Sequence, residues 1–171
     1  GYTYTMQEEL TGEGGFVCRG AGTVLLTSAY LKYTGVTRAE AGAINFGATT
    51  IANAKLGGAG TFKNGTLTTP TLALEIEGNA VADAPTLDLV NGLSLSGSVS
   101  VSLGLTEEGV IAKEGAKYPT LTVAHYTGST APDVSGWKLA DAPKLGGVFT
   151  AADGAVTVSL HGTAGFTILL R

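Results

Sequence analysis

Residues 93 to 103 read Leu93-Ser94-Leu95-Ser96-Gly97-Ser98-Val99-Ser100-Val101-Ser102-Leu103. Leu93, Leu95, Val99, Val101 and Leu103 alternate with serines, the period-two pattern of a β-strand with one oily and one hydroxylated face. Gly97 falls in the apolar register. A missing side chain there predicts a bend that divides the run into two strands.

The same alternation recurs on both sides. Thr71-Leu72-Ala73-Leu74-Glu75-Ile76-Glu77 places Leu72, Leu74 and Ile76 on one face and Glu75 and Glu77 on the other, and Thr86-Leu87-Asp88-Leu89 repeats the choice. Between the runs stand short punctuators: Gly57-Gly58-Ala59-Gly60, Asn64-Gly65, Gly78-Asn79, Ala84-Pro85 and Asn91-Gly92. They predict tight turns. No window of helical length keeps apolar residues at i, i+3, i+4 and i+7 without a Gly or Pro intervening. From residue 10 to about 115 the expectation is therefore short strands with corners between them, arranged as a sandwich of hairpins or as stacked coils.

Residues after about 116 have a different texture. Asp153-Gly154 separates Gly147-Val148-Phe149-Thr150 from Ala155-Val156-Thr157-Val158-Ser159-Leu160, the arrangement of a hairpin. A second turn is expected at residues 161 to 165, leading into Phe166-Thr167-Ile168-Leu169-Leu170. A stack of coils needs its last coil covered, because an open end exposes apolar core and unpaired backbone. Residues 117–171, which hold Trp137 and Phe149, are the expected antiparallel cap to coils over 1–116.

Composition narrows the function classes. Among 171 residues there are 26 glycines, about twice the ordinary share. Charged residues are 14%, against roughly 25% in an average soluble domain. Apolar residues at 44% argue for a folded core. A net charge of −4, with Lys and Arg scattered singly, offers no footprint for a nucleic-acid backbone or an anionic bilayer. No run reaches the length of a membrane-spanning helix. Gly1-Tyr2-Thr3-Tyr4-Thr5 lacks the pattern of a signal peptide, so an exported product would carry its signal upstream. Cys18 is alone, which excludes an internal disulfide and favours a small buried filler.

Residues 10 to 27 read Leu10-Thr11-Gly12-Glu13-Gly14-Gly15-Phe16-Val17-Cys18-Arg19-Gly20-Ala21-Gly22-Thr23-Val24-Leu25-Leu26-Thr27, followed by Tyr33-Thr34-Gly35-Val36-Thr37 and Gly42-Ala43-Ile44. A partial second copy lies at Leu56-Gly57-Gly58-Ala59-Gly60-Thr61-Phe62-Lys63-Asn64-Gly65-Thr66-Leu67. This closely resembles the autotransporter-associated β-strand repeat of bacterial surface proteins, whose pattern runs G-x-G-G, G-x-G-T, Y-T-G-x-T and G-x-L. The resemblance implies a right-handed parallel β-helix exposed on, or released from, a bacterial surface, and it implies no reaction. Physically, glycine lets the backbone turn a corner or approach the neighbouring coil closely, while each x-L-x-L pair points into a shared core. With on the order of 20–25 residues per coil, ~5 coils precede the cap.

The residues that bear chemistry are few. There is no H-E-x-x-H, C-x-x-C pair, P-loop, G-x-S-x-G elbow or EF-hand loop. Neither Gly20-Ala21-Gly22 nor Gly58-Ala59-Gly60 leads to the third glycine of a dinucleotide loop. His125 and His161 are candidate bases without a Ser or Asp at an interpretable spacing. Glu75 and Glu77, ~7 Å apart on one strand face, with Asp83 and Asp88 nearby, have the residue types of a calcium site or of a sugar-cleaving acid and base. A solvated outer face explains them more simply. Glu107, Glu108 and Glu114 read as a loop. Asn64-Gly65-Thr66 matches a glycosylation acceptor and reads as a turn.

The serines of residues 94–102, with Thr66, Thr68, Thr120 and Thr122 at similar spacing, form a candidate flat hydroxyl array for sugar or ice, or a means of keeping a low-charge strand soluble. Trp137, between Pro132 and Pro143, is a candidate sugar-stacking ring or an apolar plug. The expectation is thus an all-β chain, a single-stranded right-handed parallel β-helix with an antiparallel cap, or else a β-sandwich. Its expected role is a non-catalytic structural or adhesin-like segment, extracellular or on a bacterial cell surface, with no cofactor and no metal. Expected partners are neighbouring repeats, surface glycans and further copies through an uncovered N-terminal coil. The alternatives are a glycan-binding module using Trp137, Ser96, Ser98 and Ser100, and a polysaccharide-cleaving β-helix using Glu75, Glu77 and Asp88.

Overall fold

The computed structural model describes residues 1–27, 31–104, 118–142 and 145–162. Among the described residues every regular element is a β-strand. The chain lays strands down in threes: β1 (Thr3–Thr5), β2 (Leu10–Gly12), β3 (Phe16–Cys18); β4 (Thr23–Leu25), β5 (Leu31–Tyr33), β6 (Thr37–Ala39). Next come β7 (Ala43–Asn45), β8 (Thr50–Ala52), β9 (Lys55–Gly57); then β10 (Thr61–Lys63), β11 (Thr66–Thr68), β12 (Thr71–Ala73). A hairpin of β13 (Ile76–Glu77) and β14 (Ala80–Val81) interrupts the grouping. It resumes with β15 (Thr86–Asp88), β16 (Ser94–Ser96) and β17 (Ser100–Ser102), then β18 (Thr120–Thr127) and β19 (Lys138–Leu139). Last come β20 (Leu145–Ala152) and β21 (Ala155–Gly162).

First strands pair with first strands. β1-β4-β7-β10-β15-β18 are parallel neighbours in an eight-stranded sheet, which β21 and β20 extend antiparallel. Third strands form a six-stranded sheet, β19-β17-β12-β9-β6-β3, and middle strands form β16-β11-β8 and β2-β5. Thr3 faces Thr23, Thr23 faces Ala43, Ala43 faces Thr61, Thr61 faces Thr86 and Thr86 faces His125, spacings of 20, 20, 18, 25 and 39 residues. A sandwich of hairpins pairs consecutive strands antiparallel. Here parallel partners come from successive groups of three, so that alternative is set aside.

The register stacks like on like. Val24, Ile44, Phe62, Leu87 and Tyr126 lie one upon another in the first sheet, and Ile44, Phe62 and Leu87 are fully buried. Thr37, Leu56, Leu72, Val101 and Leu139 do the same in the six-stranded sheet. Each fully buried aliphatic or aromatic side chain contributes about 1.5–3 kcal/mol. Phe46 adds a corner plug, stacked on Phe62 with ring centroids 6.0 Å apart.

Corners between the strands need conformations that L-residues resist. Gly97 turns with φ 73 between β16 and β17, the bend expected from its place in the apolar register. Gly58 has φ 84, and a Cβ there would collide with the Ala39 carbonyl oxygen of the group before it. In the two-residue turn between β20 and β21, Asp153 and Gly154 both have positive φ, the backbone that a right-twisted hairpin requires.

Three expectations change. Residues 71–77 are not one strand: the chain leaves the sheet after Ala73 and forms the β13–β14 hairpin around Gly78-Asn79. Glu75 and Glu77 therefore share no strand face. His161 and Gly162 are not a turn but the end of β21, opposite Gly146 and Leu145. Parallel pairing also continues beyond residue 117, through β18 and β19. The strand expected at 166–170, the loop at Glu107, Glu108 and Glu114, and the junction at 116–117 lie outside the described residues.

Candidate functional site

β18 is longer than its parallel partner. It joins β15 only from His125 onward, so residues 120–124 run past the start of β15 while β21 pairs along the opposite edge. The β18–β21 register shifts between Thr122 and Ala124. A bulge breaks strict alternation, so Val123 and Ala124 are both buried while Thr122 and His125 line the outer surface. The β13–β14 hairpin stands beside this overhang. Between them is a groove of about 510 Å³, whose lining includes Thr86, Thr122, His125 and Asn79 with Ala82 and Leu121.

The far flank of the hairpin is pinned. Arg38 on β6 reaches both Glu75 and Asp83, with its Nη1 3.6 Å from Asp83 Oδ2. Its register partner on β9 is Gly57, so no side chain competes for that space. Of the carboxylates that resembled a calcium or acid–base site, Glu75 and Asp83 are thus ion-paired to one guanidinium. Among the described residues no group of three or more His, Cys, Asp or Glu is placed to hold a metal ion.

Asp88 is also committed. Its carboxylate accepts from Thr127 Oγ1 at 2.6 Å, Asn91 Nδ2 at 2.7 Å and the Asn91 N–H at 3.2 Å. Burial pushes this carboxyl up, but those hydrogen bonds and the Lys63 ammonium more than offset it, leaving it below its ordinary range. Asp88 closes a corner.

Trp137 is 7% exposed and tilted against Phe149 at 5.9 Å, so the ring is a core plug and offers no open face. Ser96, Ser98 and Ser100 do not share a surface, because the Gly97 corner sends β16 and β17 into different sheets. Ser96 continues the row of Thr68 and Ala52. Ser98 Oγ donates to the Gly136 carbonyl at 2.7 Å, and Ser100 lies between Thr71 and Lys138. Thr120 and Thr122 belong to the first sheet, far in topology from the serines. Asn64 is a turn residue with φ 58, its amide donating to Asn45 Oδ1. Cys18 is buried and unpaired.

Of the sequence candidates, His125, Thr120 and Thr122 line the groove. Thr86 and Asn79 were not among the candidates, and Thr120 and Thr122 were grouped with the serines and not with His125, because these residues sit in separate runs of sequence and meet only through the fold. The available signal was the Gly78-Asn79 turn, which marks where the spacing between first strands lengthens.

Fold and groove together define an all-β chain of mostly parallel strands with a lateral groove beside the β13–β14 hairpin. No family model, curated protein or solved structure matches it.

Proposed function

We propose that the chain is a right-handed parallel β-helix closed by an antiparallel segment, and that it is a non-catalytic structural, adhesin-like part of a bacterial cell-surface or secreted protein. One observation carries the reading: first strands return to the same sheet in register, so that Val24, Ile44, Phe62, Leu87 and Tyr126 stack as one row. A stack of this kind makes a stiff rod from repeated short segments. Two of the three carboxylates that would do chemistry support the non-catalytic part, since Glu75 is held by Arg38 and Asp88 by Thr127 and Asn91.

Such a rod joins neighbouring repeats edge to edge. β1, β2 and β3 are each terminal in their sheets, and Tyr4, in register with Val24, is 64% exposed. These are surfaces for a further coil or a second copy. The test has two arms. Protease shaving of intact producing cells should release fragments of this segment, and the purified protein should leave polysaccharides uncleaved. Retention of the segment inside shaved cells overturns the location, and turnover at enzymatic rates overturns the non-catalytic role.

A further inference from the structure

We propose that the groove between the β13–β14 hairpin and β18 binds a short neutral oligosaccharide. Its volume, about 510 Å³, falls within the range of small-ligand sites. The chemistry of its lining selects the ligand class. Among the described residues that line it, His125 alone is ionisable, so among them a phosphate, sulfate or carboxylate ligand finds no lysine or arginine, and a divalent cation finds no carboxylate.

What the lining does offer is small groups that both give and accept hydrogen bonds. The hydroxyls of Thr86 and Thr122 and the imidazole of His125 line the groove and make no protein hydrogen bond among the described residues. Hydroxyl and neutral imidazole each carry a donor and an acceptor, as a sugar hydroxyl does. Ala80 and Ala82, both exposed, present apolar surface to the C–H faces of a pyranose without filling the space.

Both walls are fixed before a ligand arrives. β18 is held between β15 and β21, and the hairpin is tied back by Arg38 through Glu75 and Asp83. A preorganised wall lowers the ordering cost of binding. With no Phe, Tyr or Trp in the lining to stack on a sugar ring, weak binding is expected.

The experiment is an NMR titration of the whole protein with neutral trisaccharides, namely maltotriose, cellotriose, xylotriose and mannotriose, alongside a sulfated and a sialylated trisaccharide. Saturable shifts at His125, Thr122 and Thr86 with at least one neutral sugar are expected. His125→Ala and Thr122→Val should each weaken that binding by about tenfold or less, and Ala82→Trp, which fills the groove from an exposed position, should abolish it. Ala82→Trp with unchanged spectra away from the groove separates blocking from unfolding. Absence of saturable shifts across the neutral panel, shifts confined to the anionic sugars, or shifts that map to Ser96 or Trp137 instead would each overturn the proposal.

Discussion

Arg38 Nη1 lies 3.6 Å from Asp83 Oδ2, a contact between the third strand of the second group and the return limb of a hairpin inserted after the fourth. With Glu75 on its other nitrogen, the guanidinium clasps both ends of the β13–β14 excursion. The carboxylates are largely exposed, at 65% and 43%, so screening keeps the contribution to global stability to about 1 kcal/mol or less. The effect is local. Arg38→Met should raise amide hydrogen exchange across Ile76–Val81 while leaving the exchange of β10 and β12 unchanged, and high salt should reproduce part of that effect in the unaltered protein. Equal exchange in both proteins would show that the hairpin is held by its apolar contacts instead.

Gly58 and Gly78 both have positive φ, but their surroundings differ. At Gly78 nothing lies within 4 Å of an added Cβ, whereas at Gly58 the Cβ meets the Ala39 backbone. Gly78→Ala should therefore cost only the left-handed penalty of about 1–2 kcal/mol. Gly58→Ala adds a backbone collision that parts two groups of strands, and should cost clearly more, ~3 kcal/mol or above. Urea unfolding of the two variants decides it. Similar midpoints would mean that the backbone shifts cheaply at Gly58.

How much of this was readable beforehand depends on the range of the interaction. The alternation over 93–103, with Gly97 as its corner, and the Asp153-Gly154 turn are local patterns, and the strands follow them. The hairpin at 76–81 was hidden, because Leu72, Leu74 and Ile76 keep period two whether the chain continues straight or turns away. Arg38 to Asp83 and Thr86 to His125 were invisible for another reason. Such pairs are set by which strand returns to which sheet, and no local periodicity encodes that. The bulge at Thr122 to Ala124, which aims Thr122 and His125 outward, leaves two consecutive apolar residues, Val123 and Ala124, as its only trace.

Asp88 makes stability depend on acid. Its carboxyl, ordinarily at 3.8, is lowered in the fold, where hydrogen bonds from Thr127 and Asn91 overcome the effect of burial. The unfolded chain therefore binds the proton first as pH falls. The stabilisation is complete above the ordinary value and is lost as pH drops through it to the depressed native value. Asp88→Asn should cost about 1–3 kcal/mol at neutral pH and flatten the fall in stability below pH 4. Thermal melts across this range read both effects. An unchanged acid slope in Asp88→Asn would place the acid sensitivity in other carboxylates.

Tyr33 and Thr37 give the alkaline counterpart. The Tyr33 hydroxyl lies 2.6 Å from Thr37 Oγ1, and Thr37 is 3% exposed on an inward position between Phe16 and Leu56. A lone hydroxyl in a core row is tolerable only when paired. Removing one partner leaves the other unsatisfied, so Tyr33→Phe or Thr37→Val alone should each cost about 1–3 kcal/mol, while the double variant should recover most of the loss. Burial raises the Tyr33 phenol above its ordinary 10.0 despite the opposing bond from Thr37. The unfolded chain thus loses its proton first, and the contribution of Tyr33 is full below pH 10 and disappears as pH climbs through the raised native value. Tyr33→Phe should therefore hold its stability better than the unaltered protein above pH 10, although it is the weaker of the two at neutral pH. Stability curves that converge above pH 10 in urea unfolding would establish the pair as an inward hydrogen bond, and parallel curves would show that the phenol is solvated.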